Sequence, residues 1–279
     1  ICMWHSLVTR GTGDTWHPWK DACEMLRQRI GGADAKPARA AKIGKRAKWI
    51  ETTKDADGNG WVADGKSARN EREVAERVSK MLNYSSNWPE PSGGLSEHQD
   101  KQVRLATAGA VGILSGTPGT GKTYSAASLI RSVINLHGHG AIAVLAPTGK
   151  AAVRATESLS KAGIVGLTAM TIHRALGPDR SGHGTGEWGF RHNERDPLPH
   201  KFIIVDETSM VDTNLMAALL KALAPGTNLL LIGDPYQLPP VGHGAPFRDL
   251  IASNIPHGHL TEIQRNSGLI VKGCAAIRE

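Results

Sequence analysis

The sequence predicts an α/β protein: a parallel β-sheet flanked by helices, preceded by a smaller, partial α+β region. Three observations carry that prediction. From Leu95 onward, short apolar runs alternate with stretches of helical period, the pattern of a sheet buried on both faces. Between one such run and the next helix lies GTPGTGKT, residues 116–123. Two further runs end in acidic residues, at Asp206–Glu207 and at Asp234, as expected where a parallel sheet presents the carboxyl ends of its strands to a ligand.

Composition sets the frame for these elements. With 279 residues, 40% hydrophobic and 21% charged, the chain has an ordinary globular make-up and the length for one large domain or two smaller ones. No apolar run approaches the roughly 20 residues needed to span a bilayer, which argues against a membrane protein. A net charge of +7 favours a polyanionic partner. Cys2, Cys23 and Cys274 are scattered without a CxxC pair, against both a zinc site and a disulfide framework, so a reducing cytoplasm is the expected setting. The chain opens with Ile1 and stops at Glu279 within a helical pattern, which reads as a fragment.

Residues 1–94 differ in texture from the rest. They hold six of the seven tryptophans and end in the linker NWPEPSGG, residues 87–94, which suggests a domain boundary before Leu95. Lys36 to Lys48 contains Lys36, Arg39, Lys42, Lys45, Arg46 and Lys48 and no acid; a solvated basic linker and an accessory nucleic-acid contact both fit. DADGNGWVADGK, from Asp55, imitates the start of a calcium loop, but Lys66 stands where the closing glutamate belongs. A hairpin turn at Gly58-Asn59-Gly60 explains it better.

Along residues 95–279 the elements follow in order. Val111 to Leu114 is a strand, and a helix runs to about Leu136. The intervening loop satisfies G-x-x-x-x-G-K-[ST], in which glycines let backbone N–H groups turn inward around phosphates. Gly116, Thr117, Pro118, Gly119, Thr120 and Gly121 form the cradle, with Tyr124 just beyond it. Lys122 suits the β- and γ-phosphates and Thr123 suits a Mg²⁺ ion. Ala141 to Ala146 is a second strand, delivering Pro147, Thr148 and Lys150 to a helix start; Thr148 is equally a backbone contact or a simple N-cap. Phe202 to Val205 is a third strand, placing Asp206 for the metal and Glu207 for the attacking water, although two acids also suit a helix start. Leu229 to Ile232 is a fourth, followed by an elbow in which Pro235, Pro239 and Pro240 brace Asp234 and Gln237. Lys122, Asp206, Glu207, Asp234 and Gln237 should therefore converge on one sheet edge.

The ordered set LSEHQ, GTPGTGKT, VLAPTGKAA, TIHRALG, IIVDETSMVD, LIGDPYQLPPVGHG and LTEIQR resembles the successive motifs of superfamily-one DNA helicases, most nearly the RecD-like group (exodeoxyribonuclease V alpha subunits and the helicase halves of conjugative relaxases). The resemblance covers 95–279 and implies the first RecA-like domain of a P-loop motor that uses ATP and Mg²⁺ and acts on single-stranded and fork DNA in recombination and repair, moving 5′ to 3′. By matching position it implies that Gln99 reads the adenine, that Pro147, Thr148, Lys150, Thr171 and His173 contact single-stranded DNA, that Gln237 senses the γ-phosphate beside Asp234, and that Arg265 approaches that phosphate. Thr117 departs mildly, since many relatives have glycine there. The second RecA-like domain of the family does not follow Glu279, so residues 1–279 alone should unwind almost nothing.

Between His173 and Asp206, residues 177–200 read as a surface loop. Relatives carry a small pin there, and Trp188 or Phe190 suits either base stacking or packing beneath the loop. An RNA helicase of the same superfamily, a P-loop kinase or nucleotide switch, and a non-catalytic DNA-binding remnant are the rival readings. The last is disfavoured by the intact Lys122 and Glu207.

Overall fold

A computed structural model of the chain describes residues 3, 7, 14–30, 35–179 and 189–263. The chain divides into two compact units, one of Ile1–Arg77, Asp212–Ala217 and Pro239–Pro246, the other of Val78–Val211, Ala218–Leu238 and Phe247–Glu279. Among the described residues no helix is long and apolar enough to cross a membrane.

The first unit is α+β. Its order is β1 (Trp16–Pro18), α1 (Trp19–Ile30), α2 (Pro37–Arg46), β2 (Ile50–Lys54), β3 (Gly60–Asp64) and the start of α3 (Gly65–Met81). The three strands form an antiparallel sheet in the order β1-β3-β2. Its core is small: Met3, Leu7, Ala22, Leu26, Ala41, Ile50 and Val62, with Trp19, Met25 and Ala40 packed at the margin. Helix α2 lies close to β2 because Gly44 has no side chain; a methyl there would press on Ile50. The turn from Asp55 to Asn59 is the hairpin read from the sequence, not an ion loop. The Asp55 carboxylate accepts hydrogen bonds from the backbone N–H groups of Asp57 and Asn59, from Asn59 Nδ2 and from Trp61 Nε1.

The second unit is the parallel α/β layer. Its elements are α4 (Glu97–Ala106), β4 (Val111–Gly116), α5 (Lys122–His137), β5 (Ile142–Ala146), α6 (Gly149–Lys161), β6 (Met170–Thr171), α7 (Ile172–Leu176), β7 (Pro178–Asp179), β8 (Gly189–Phe190) and β9 (Phe202–Val205). They are followed by α8 (Thr213–Lys221), which begins in the first unit, then β10 (Asn228–Gly233), α9 (Pro246–Ile251) and β11 (His257–Leu260). Six strands lie in the order β11-β4-β10-β9-β5-β6, and every neighbouring pair is parallel. β4, β5, β9 and β10 are buried along their whole length, which is why they read as unbroken apolar runs. Side chains of β4, β5, β9 and β10 join Leu129, Ile130 and Val133 of α5 and Leu159 of α6 in one core.

Helix α4 rests directly on the backbone of the sheet. A methyl at Gly112 would overlap the Ala106 carbonyl oxygen, and one at Gly258 would overlap that of Gln102. On the edge strand, Ser115 Oγ lies 2.6 Å from both His257 Nε2 and His259 Nδ1, tying β11 to β4. Gly258→Ala should cost about 3 kcal/mol, since a strained backbone cannot yield like the end of a side chain. Gly149→Ala, where a methyl meets nothing, should be neutral or stabilising. Denaturant midpoints of the two variants make the comparison.

Candidate functional site

The phosphate loop is set by its backbone. β4 ends at Gly116, and the chain turns through Gly119 and Gly121, whose φ angles of 86° and 85° are costly for any residue with a Cβ. Thr120 Oγ1 donates to Thr117 O at 2.8 Å, drawing the loop into a ring. Helix α5 then begins at Lys122, so its first N–H groups point into the loop, an arrangement suited to anions. Lys122 Nζ donates to Gly116 O at 2.7 Å and to Thr117 O at 3.1 Å, which holds the ammonium across the loop's mouth.

Parallel register brings the acids alongside. β9 and β5 each adjoin the centre of the sheet, and Asp206 N donates to Leu145 O as β9 ends. Asp206 Oδ1 accepts the Glu207 N–H at 2.9 Å. Glu207 itself adopts φ 54° and ψ 39°, a left-handed conformation that is uncommon outside glycine and asparagine. That turn swings its carboxylate toward the elbow. Gln237 Nε2 donates to Glu207 Oε2 at 3.2 Å, and Ser209 Oγ donates to Gln237 Oε1 at 3.2 Å. The glutamine is thus held at both ends, one of them on the Glu207 carboxylate.

Burial, the neighbouring Glu207 carboxylate and, in opposition, the Glu207 N–H and Lys122 set the Asp206 pKa, which is pushed up to about 6 from an ordinary 3.8. A carboxyl raised in the folded state gives stability that is fully present below 3.8 and lost as pH rises through about 6. Asp206→Asn should therefore stabilise the metal-free chain by about 2–3 kcal/mol at pH 8 and by almost nothing at pH 3.5. Urea melts in chelator across that range measure it.

One cavity of about 1050 Å³ gathers most of the expected residues: Gln99, Gly119, Gly121, Lys122, Thr123, Tyr124, Thr148, Lys150, Asp206, Glu207 and Gln237. Gly116, Thr117, Pro118 and Thr120 belong to the same loop, behind the residues that line the cavity. Pro147, Thr171 and His173 lie off its wall, and Arg265 and Trp188 fall outside the described residues. Asp234 does not reach the cavity: it is buried beneath the elbow, where its Oδ1 accepts the Tyr236 N–H, so its work is to shape the turn. Thr148 and Thr171 both cap helices, accepting N–H groups from Ala151 and Arg174. Gln99 is also engaged locally. It forms a capping box with Ser96, its Oε1 accepting the Ser96 N–H, and the S-x-x-Q spacing of SEHQ was the sequence signal for it. Phe190 lies beside His173, ring centroids 5.8 Å apart, on the small antiparallel pair β7–β8.

Sequence reading missed three groups. Arg154 and Lys161 join Lys150 from α6 on the cavity wall, a basic flank that raises the local concentration of a polyphosphate; the signal was basic residues recurring at helical spacing after Thr148. Ser209, which steadies Gln237, was hidden because its contact spans 28 residues. Among the described residues no group of three or more His, Cys, Asp and Glu side chains is arranged to hold a metal alone.

A family model described as an AAA domain matches residues 99–243. The chain is 41% identical, over 172 residues, to the RecBCD enzyme subunit RecD of Mycolicibacterium smegmatis, a match covering 56% of this chain and 30% of that protein. It is 35% identical over 224 residues to the ATP-dependent RecD2 DNA helicase of Deinococcus radiodurans, covering 76% of this chain and 29% of the relative. Among solved structures, the Pif1 helicase from Candida albicans aligns with a TM-score of 0.46 at 24% identity, covering 67% of this chain and 44% of that one. The chain spans about 30% of the length of the curated relatives it matches. With the match running from Gln99 through the elbow, over more than half of the sequence, the chain belongs to the AAA domain family.

Proposed function

We propose that residues 95–279 are the first RecA-like motor domain of an ATP-dependent DNA helicase, joined through residues 87–94 to a partial N-terminal domain. The observation that carries this reading is the Gln237–Glu207 hydrogen bond beside Lys122, because it links a phosphate-sensing position to the water-activating one within a single cavity. A P-loop kinase has no need of that link. The relatives named above as a DNA helicase and a RecBCD subunit favour DNA over RNA.

The residues fit ATP with Mg²⁺. Gly119 and Gly121 open the cradle, Lys122 supplies a cation at its mouth, and the Thr123 hydroxyl and Asp206 carboxylate offer hard oxygen ligands. Thr123 and Asp206 would hold the ion; when bound, it neutralises charge building on the β- and γ-phosphates. Lys122 orients those phosphates and Glu207 accepts a proton from the attacking water. By their place in the motif order, Arg265 is assigned to the γ-phosphate and Gln99, on the cavity wall, to the base side. Single-stranded DNA passes by Pro147, Thr148, Lys150, Thr171 and His173, and strand stepping follows from closure against a second RecA-like domain.

The test is ATP hydrolysis by the full-length parent with no nucleic acid, with single-stranded DNA and with single-stranded RNA. Stimulation by DNA alone is expected. Equal stimulation by RNA would favour the RNA helicase reading, and no stimulation by either would favour a nucleotide switch.

A further inference from the structure

The first unit has a topology with a use of its own. Met3 and Leu7 are both helical; then come β1, the helix pair α1 and α2, and the hairpin β2–β3, with β3 paired between β1 and β2. A strand, a helix pair and a hairpin, closed by a three-stranded antiparallel sheet, is the core order of a winged helix-turn-helix. In helix-turn-helix modules the second helix of the pair enters the major groove of duplex DNA. Here that helix is α2.

Its two faces are sharply divided. Ala41 and Gly44 are buried, with Ala40 against the core, while Arg39, Lys42, Lys45 and Arg46 are exposed. At 100° per residue, Arg39, Lys42 and Arg46 fall within about 60° of one another, directly opposite the buried stripe, and Lys45 flanks them. Among the described residues no acid pairs with any of these four, and Lys36 and Lys48 extend the charge past both ends. The hairpin tip carries Asp55, whose carboxylate is engaged within its own turn, and Asp57, so the charge available for phosphates sits on the helix, with the tip as its flank.

We infer that α2 is a duplex-DNA docking helix, a nucleic-acid site separate from the P-loop cavity. The fit favours duplex DNA among polyanions. A helix about 10–12 Å across matches the roughly 12 Å major groove of B-DNA, whereas the A-form RNA groove is too deep and narrow to admit it. A flexible single strand gains little from a rigid cylinder, and α2 presents no aromatic row on which to stack bases.

The test uses residues 1–279, with fluorescence anisotropy of a blunt 20-base-pair DNA, a 20-nucleotide single strand and a 20-base-pair RNA. In the Arg39→Ala/Lys42→Ala/Arg46→Ala variant, duplex-DNA affinity in low salt should fall at least about 10-fold. The slope of log affinity against log salt should flatten by about 2.7, so the parent's further loss between 50 and 200 mM salt exceeds the variant's by about 40-fold. Single-strand affinity and binding of a fluorescent ATP analogue should stay within about twofold of the parent, and an unchanged near-ultraviolet circular dichroism spectrum, to which Trp16, Trp19 and Trp61 contribute, reports that the first unit is folded. Arg39→Lys/Arg46→Lys should keep the parent's slope, and Lys122→Ala should bind duplex DNA as the parent does, whether or not the motor reading above holds. An unchanged duplex slope in the triple variant, an equal loss of single-strand binding, or duplex RNA bound as tightly as duplex DNA would each overturn the assignment.

Discussion

Lys122→Ala should weaken ATP binding by at least about 100-fold while the chain keeps its fold. In a water-poor loop an ammonium that meets phosphate oxygens makes charge-assisted hydrogen bonds, each about twice as strong as a neutral one. Alanine removes the charge and leaves the helix start otherwise intact, since Lys122 is half-buried and donates to two carbonyls of its own loop, Gly116 O and Thr117 O. Losing those two bonds should lower the melting temperature by a few degrees at most. A titration with a fluorescent ATP analogue, paired with a thermal melt, separates the two effects. Unchanged affinity in a folded variant would remove the nucleotide from this loop altogether.

Gln237→Ala should uncouple rather than disable. ADP lacks the γ-phosphate, so its affinity should stay within about twofold. ATP should lose one charge-assisted hydrogen bond, roughly 1.5–3 kcal/mol in a desolvated site, or about 10- to 100-fold. The geometry adds a second effect, because the glutamine also donates to Glu207 and accepts from Ser209. Without it, a carboxylate on a strained left-handed turn loses its tether, so hydrolysis should fall as well. Unwinding should fall further than hydrolysis, since ATP and ADP then differ less in what they do to the elbow. The deciding quantity is the ratio of unwinding to ATPase in the full-length parent, variant against wild type. An unchanged ratio with unchanged rates would make Gln237 a turn residue and nothing more.

The sheet was legible wherever burial on both faces forces a continuous apolar run. β9 spans Phe202–Val205 as read, β4 and β10 extend the expected strands by two residues or fewer at either end, and β5 starts one residue later than expected. The edges were not legible. β11 is HGHL and β6 is two residues long, and neither has the composition of a strand. β11 pairs because Gly258 admits the backbone of α4 and because its histidines meet Ser115, contacts 142 and 144 residues apart that no local pattern records. The same divide holds at the cavity. The glycines, Lys122 and the paired acids announce themselves through spacing, since a short loop must do the whole job. Gln99 lines the cavity while its amide oxygen closes a cap on α4, and Asp234, expected to converge with Lys122 and Gln237, is buried below the elbow, where it accepts the Tyr236 N–H. In both cases a polar side chain close to its own backbone has a local partner to compete with a ligand. In the first unit the hairpin at Gly58-Asn59-Gly60 was legible and the rest was not, because its strands are short and its helices amphipathic around a core of only a few side chains.

The bare contact of α4 with β4 and β11 gives the second unit an uneven compliance. Under α5 and α6 helix and sheet are separated by a layer of side chains, whose rotamers can absorb a displacement of a few tenths of an ångström. At Gly112 and Gly258 there is no such layer, because carbonyl oxygens sit directly on the strands. Close-packed matter without free volume transmits strain instead of damping it. The strand that ends in the phosphate loop, the helix that begins at the Ser96–Gln99 cap and the edge strand beyond Pro256 should therefore respond to strain together. A displacement of the loop should be felt more strongly along that edge than across the layer under α5, which Leu129, Ile130 and Val133 pad.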